Sequence, residues 1–289
     1  MPTTATTKPF LTYQQQLDLL KTRGLIVHDE PQALLTLKDI NYYRLSAYSL
    51  TLRKHDIFYT GVTFDDIVNL YNFDDRLRRI VLRFSFAVEH SISAYLAYKH
   101  ANNHGPLGYL NNQYFRDEKH HAAFINRLFQ KLERSAEPAI VHHRNDLGGV
   151  YPFWVAIEAM SFDMISLFFK NMKTSDKKDI SGNYYGDRGL YYHVENWLHC
   201  CVNIRNIAAH GARFYNRILP AKVRYKIGDG GKFRSDSPFA NFYAMFMLLP
   251  TAEQKTAFVN FLSHLFNEYP KANIDKLGFP NDWENILVI

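Results

Sequence analysis

The sequence predicts an all-α protein, a helical bundle carrying an N-terminal helical extension. Three observations predict it. Apolar residues recur three and four positions apart along most of the chain, the period of helices with one buried face. Only one segment alternates with a period of two. The 289 residues are 47% hydrophobic and 15% aromatic, enough to bury a sizeable core and too apolar for a disordered or collagen-like chain.

A first helix is predicted from Thr12, a residue type that caps helix N-termini, to Gly24, which accepts the positive φ at which helices end. A second helical stretch covers about Pro31 to Lys54 and carries Leu34, Leu37, Ile40 and Leu45. The longest runs from Thr63, another cap, to about Asn103, with Ile67, Leu70, Phe73, Leu77, Val81, Phe84, Val88 and Ile92 on one face. About forty residues is long for one globular helix, so a kink or break is expected within it. Further helices are predicted over 117–136, 152–172, 191–209, 239–249 and 252–269. The exception is Lys222–Ile227, which alternates before Gly228–Gly231, so a small β-hairpin is expected near 222–234. No repeat, low-complexity run or linker divides the chain. Residues 1–60 are therefore read as the extension and 61–289 as the helical domain with its C-terminal helices, packed as one unit.

Cys200 and Cys201 are adjacent, which excludes a disulfide framework and a CxxC metal knuckle and suits a reducing compartment. Met1–Pro9 contains no apolar core of a secretory signal, and no run approaches the roughly eighteen apolar residues of a membrane span. A cytoplasmic protein with no membrane partner is expected.

The net charge is +6. Residues 205–234 hold eight basic residues against Asp229 alone, a local +7, which leaves −1 for the rest of the chain. The basic residues are Arg205, Arg213, Arg217, Lys222, Arg224, Lys226, Lys232 and Arg234, interleaved with Phe214, Tyr215, Tyr225 and Phe233. Cations neutralise phosphates and aromatic faces stack on unpaired bases, so this mixture suits single-stranded nucleic acid, with a solvated basic loop as the plainer alternative.

The helix that leads into this segment places Val194, Trp197, Leu198, Cys201 and Ala208 on its apolar face. His199, Asn203, Asn206 and His210 form the opposite stripe, while Arg205 falls on the apolar side, where a permanent charge needs a partner. Gly211 is expected to end the helix and leave His210 at its carboxyl end. A guanidinium and an imidazole beside a basic groove can cleave RNA without metal: the 2′-hydroxyl attacks phosphorus, His210 moves a proton, and Arg205 stabilises the developing phosphoryl charge. The spacing alone equally allows an ion pair at Arg205 and a helix-end histidine at His210.

Arg205-Asn-Ile-Ala-Ala-His210-Gly-Ala-Arg-Phe-Tyr-Asn216-Arg217 resembles the signature of the Abi-like family, prokaryotic abortive-infection proteins of the AbiD/AbiF type within the HEPN superfamily of all-helical ribonucleases. Asn41-Tyr-Tyr-Arg-Leu-Ser-Ala-Tyr48, Phe73-Asp-Asp-Arg-Leu-Arg78, Pro152-Phe-Trp154 with Glu158 and Ser161-Phe162, and Leu277-Gly-Phe-Pro280 with Trp283 agree in order, so the resemblance covers nearly the full length. Two positions depart from it: Asp163 stands where the family usually has glycine, and Gly211 where bulkier polar residues are commoner. The resemblance implies a HEPN-like bundle and a metal-independent endoribonuclease with no cofactor, acting as an antiphage or toxin effector. It implies catalytic roles for Arg205, Asn206 and His210, with Asn206 orienting the phosphate or fixing the histidine tautomer. It also implies a homodimer in which two motifs face one cleft. RNA contacts are expected from Arg213, Tyr215, Asn216, Arg217, Lys222, Arg224, Lys226, Lys232 and Arg234. The alternative is a protein that holds a structured non-coding RNA, as antitoxin or guide, without cutting it; a protein-interaction module is the third reading.

Other signals carry less. His120-His121 and His142-His143 lack further ligands at metal spacing, so surface or capping roles are expected and no residue is assigned to a metal. Gly228-Asp-Gly-Gly-Lys232 lacks the pattern of a phosphate loop. Cys200 and Cys201 are read as packing residues, and Glu89 and His90 as solvent-facing or structurally paired.

Overall fold

A computed structural model describes residues 7–226 and 228–288. The reading of the first residues as lacking a signal core rests in part on residues 1–6, outside that range, as does the strand expected to end at Ile227. The helices are α1 (Tyr13–Thr22), α2 (Glu30–Asp39), α3 (Tyr42–Ser46), α4 (Phe64–His104), α5 (Glu118–Arg134), α6 (Pro138–Asp146) and α7 (Phe153–Ala156). They continue with α8 (Phe162–Asn171), α9 (Thr174–Tyr185), α10 (Tyr191–Ala209), α11 (Pro238–Leu248), α12 (Ala252–Glu268) and α13 (Trp283–Ile286). The fold is all-α. Its small antiparallel sheet pairs β1 (Arg53–Lys54) with β2 (Ile57–Phe58).

Local chemistry explains the boundaries. Thr12 and Thr63 each accept from the backbone of the third helical residue, while that residue's side chain accepts from the cap, closing a capping box on α1 and on α4. Gly24 takes φ +89° beyond α1. The stretch expected as one helix over 31–54 divides because Ile40 is extended and Asn41 caps α3 through Tyr43 N. The stretch over 152–172 divides at Met160 and Ser161, both extended.

The break expected in the long helix is absent: α4 is helical over 41 consecutive residues, about 60 Å. It contains neither proline nor glycine. Its buried face, from Phe64 through Phe73, Val81 and Val88 to Leu96, is covered along its length by other helices, chiefly α10 and α12. Burial against several partners holds a helix that propensity alone would let fray. Leu17, Leu37, Leu45 and Tyr48 from the first sixty residues belong to the same core as Trp197, Phe239 and Leu262.

No strand is present among the described residues of 222–234, which corrects the expected hairpin. The in-and-out alternation is real, with Val223 buried between exposed Lys222 and Arg224. The extended backbone bonds instead to side chains of α10. Asn196 donates to Lys222 O at 3.0 Å and accepts from Arg224 N at 2.7 Å, Trp197 Nε1 donates to Arg224 O at 2.9 Å, and His193 Nε2 donates to Tyr225 O at 2.9 Å. A helix edge satisfies the polar groups that a partner strand would have satisfied.

One buried polar centre ties the pieces together. Asp74 on α4 is fully buried and accepts from Tyr48 Oη at 2.7 Å, from Arg78 Nη1, and from the backbone N–H groups of Phe214 at 3.1 Å and Tyr215 at 2.8 Å. Arg78 also bonds Asp75 at 2.9 Å. The N-terminal segment, the long helix and the loop after α10 thus meet on one carboxylate.

Candidate active site at the end of α10

Arg205 lies in the seam between α10 and α4. Its Nε stands 3.7 Å from Glu89 Oε2, its Nη1 donates to Asn206 Oδ1 at 3.3 Å, and its guanidinium lies 5.7 Å from the centre of the Phe86 ring. The charge that helical spacing put on the apolar side therefore has its partner in Glu89. The Arg205 side chain keeps 29% of its surface in contact with solvent, enough to reach a ligand. Burial pushes the Glu89 carboxyl above its ordinary range, with the charges of Arg205 and His90 opposing. Glu89 Oε2, Arg205 Nε and Asn203 Oδ1 are buried without a hydrogen-bond partner among the described residues.

A raised acid lowers stability as pH climbs, because the native state binds its proton more tightly than the unfolded chain. Glu89 therefore contributes a decline in unfolding free energy that begins near its ordinary value of 4.5. Urea titrations across that window should show a shallower decline for Glu89→Gln; an identical pH profile would contradict the assignment.

His210 is the C-cap of α10, its backbone N–H bonded to Asn206 O at 3.0 Å and its side chain exposed. Asn206 bonds Arg205; no described side chain bonds the His210 ring. Gly211 then turns the chain with φ +63°, and a Cβ there would stand 3.2 Å from Arg44 Nη1. Arg44, exposed on α3, is a cation beside Gly211, the residue after His210, that sequence reasoning did not single out; it lies 167 residues before Gly211 in the chain, and only its place in the Asn41–Tyr48 segment hinted at it.

The expected RNA-contacting residues separate into four groups. Tyr215 is 2% exposed and packs edge-on against Phe73, so its ring is withdrawn from base stacking. Phe214 and Phe233 are also buried, and the half-buried Tyr225 donates its hydroxyl to Phe233 O. The aromatics of this segment are core, which corrects the stacking expectation. Near His210 remain Arg213, which donates to Ala47 O, with the exposed Asn216 and Arg217. Lys222, Arg224 and Lys226 are exposed but run back along α10 toward its start. Arg224 sits 3.7 Å over the Tyr192 ring, thirteen residues or about 20 Å along the helix from Arg205. Lys232 and Arg234, also exposed, pair with Asp229 and Asp236 at 2.9 Å each. The charge that is one block in sequence is drawn out along a helix in space.

Asn216 holds φ +52°, and its N–H bonds Lys276 O at 3.0 Å. Asn216→Ala should cost about 1–2 kcal/mol and Asn216→Gly nothing comparable, since only the former places a Cβ in the left-handed region without the side chain that tolerates it. Chemical denaturation of both variants checks this.

Elsewhere, His121 is buried, which corrects the surface half of the surface-or-capping role expected for it; its Nε2 donates to Tyr109 O at 2.9 Å. His142 pairs with Asp146 at 2.8 Å and His143 Nδ1 donates to Val150 O at 2.8 Å. Cys200 and Cys201 are buried, and burial pushes the Cys200 thiol up to about 12. Asp163, the departure from the family's usual glycine, pairs with Arg127 of α5 at 2.7 Å.

Arg, Asn and His at the carboxyl end of a central helix, with a carboxylate from a long neighbouring helix beside the arginine, place the chain among all-helical proteins that gather polar groups at a helix terminus. The Abi-like protein family matches residues 35–216, well over half the chain and all of this constellation. The chain belongs to the Abi-like family. The match begins inside the segment read as an N-terminal extension, as the contacts of Tyr48 with Asp74 lead one to expect. Comparisons with curated proteins and with solved structures gave no match. Among the described residues, no helix is long and apolar enough to cross a membrane, and no group of three or more His, Cys, Asp or Glu is placed to hold a metal ion.

Proposed function

We propose that the chain is an endoribonuclease effector of abortive infection, of the HEPN type, working as a cytoplasmic homodimer. The observation that carries this is the union at one helix end of a guanidinium held by Glu89 and Asn206 with an exposed, unbonded imidazole. The 2′-hydroxyl oxygen attacks phosphorus and the bond to the 5′-oxygen breaks, giving a 2′,3′-cyclic phosphate and a 5′-hydroxyl. An imidazole takes the 2′ proton and a second one supplies a proton to the leaving oxygen, while Arg205 neutralises the phosphoryl oxygens. One chain has one His210, so two copies facing a shared cleft supply both. The exposed Phe86 ring, beside the Arg205 guanidinium, is an apolar surface that a second copy would cover.

RNA incubated with purified protein in excess chelator should be cut to products ending in cyclic phosphate, and not by His210→Ala. Light scattering should give a dimer. Intact RNA co-purifying with both proteins and never cut would favour a holder of structured RNA instead; Arg44, Arg213 and Arg217 around the site serve either reading.

A further inference from the structure

α5 and α8 face each other with stripes that do not close. His120, Ala123, Phe124 and Arg127 on α5 face Met164, Leu167, Phe168 and Asn171 on α8 across a cavity of about 580 Å³, within the range of ligand pockets. Its floor is apolar and aromatic; its rim carries Arg116, Arg127 and Lys170 against the single carboxylate of Asp117, all exposed. The same face of α5 continues through Gln130, Lys131 and Arg134 into a second cleft of about 560 Å³, polar, with Glu158 on its far side. Arg127 lines both. Arg127, Lys131 and Arg134 fall at i, i+4 and i+7, a row about 10 Å long on one helix face.

This double cleft adjoins the Arg205 site. Arg127 bonds Asp163, Asp163 begins the α8 turn that borders Glu89, and Glu89 pairs with Arg205. The Lys222–Lys226 cations, by contrast, lie toward the other end of α10.

We propose that the α5 cleft is a strand-binding subsite for single-stranded RNA, the apolar cavity taking one unstacked base and the Arg127–Lys131–Arg134 row taking the phosphates that flank it. The half-buried Phe124 ring and the exposed His120 ring are the ones a base can stack on, while Phe115 and Phe168 lie beneath them, and a row of cations follows a phosphate backbone without reading sequence. The subsite rests on the RNA assignment above for the identity of its strand, and its geometry adds a sequence-tolerant grip upstream or downstream of the cut.

The test uses full-length protein carrying His210→Ala, a fluorescent single-stranded RNA octamer, and the same octamer with one abasic residue at each position in turn. Lys131→Glu with Arg134→Glu should weaken binding at least tenfold and lower the salt slope by about 1.4, the share of two phosphate contacts on a single strand. Leu167→Asp, an exposed residue at the cavity mouth, should weaken the intact octamer severalfold and leave one abasic octamer unaffected. Unchanged affinity and slope in both variants would overturn the subsite. So would a nucleoside triphosphate that binds the cleft tightly while RNA binding ignores both variants, since the occupant would then be a free nucleotide. Binding is read without cleavage: loss of binding in these variants supports the subsite even if the unsubstituted protein never cuts, the outcome that would sink the nuclease assignment alone.

Discussion

Asp74→Ala is expected to cost the fold about 3–5 kcal/mol, several times the loss of an ordinary substitution. The carboxylate is fully buried and satisfies four donors: Tyr48 Oη, Arg78 Nη1, and the amides of Phe214 and Tyr215. Its removal leaves the nearly buried Arg78 guanidinium with the neutral Tyr48 hydroxyl and the partly exposed Asp75 as partners, and two loop amides that have lost their acceptor. An orphaned buried donor costs its full desolvation, which is why losing one side of such a centre is worse than never building it. Asp74→Asn should recover little, because an amide brings one acceptor oxygen and two hydrogens into a ring of donors. Tyr48→Phe, which removes one donor to Asp74 and one acceptor of Arg78 Nη1 at 3.1 Å but leaves the carboxylate in place, should cost less, about 1–2 kcal/mol. Urea denaturation measures all three. Equal losses for Asp74→Ala and Tyr48→Phe would show that the carboxylate is not the hub. The same loop leads directly from His210 to Asn216, so Asp74 variants that stay folded should also lose positioning of the site.

His210→Ala is expected to lower the rate constant for RNA cleavage by about 10²–10⁴, the usual worth of a positioned acid or base. The fold should be indifferent, since the side chain is exposed and only its backbone is bonded. Arg205→Lys should lose comparable activity despite keeping the charge, because one ammonium cannot face Glu89, Asn206 and a phosphate as a planar guanidinium can. Cleavage that continued at the unsubstituted rate in excess chelator, with contaminating nuclease excluded, would remove His210 from the mechanism.

Much of the fold was legible in the residues alone. Caps at Thr12 and Thr63 and the apolar stripe from Ile67 to Ile92 are local signals, and they produced the elements they announced. α9 gave no such signal. Its sequence is polar, and it buries Lys177 and Asp176 through contacts with Glu195 at 2.7 Å and His104 at 3.1 Å rather than through an apolar stripe. Periodicity detects faces that dislike water; it does not detect charges that find partners.

The candidate site divides the same way. By itself the sequence determined an all-helical chain, a helix ending at His210 and Gly211, and the presence of Arg205 on a face where a charge needs an answer. Which residue answers it, that Tyr215 turns inward to the core, that Arg44 comes to lie against Gly211, and that the basic segment runs back along α10 were decided only by tertiary structure. The reason is physical. Helix ends and amphipathic faces are set by neighbours within about four residues. Glu89, Arg44 and Arg127, by contrast, reach the site or its flank only when separate helices pack, and no spacing rule relates positions that far apart.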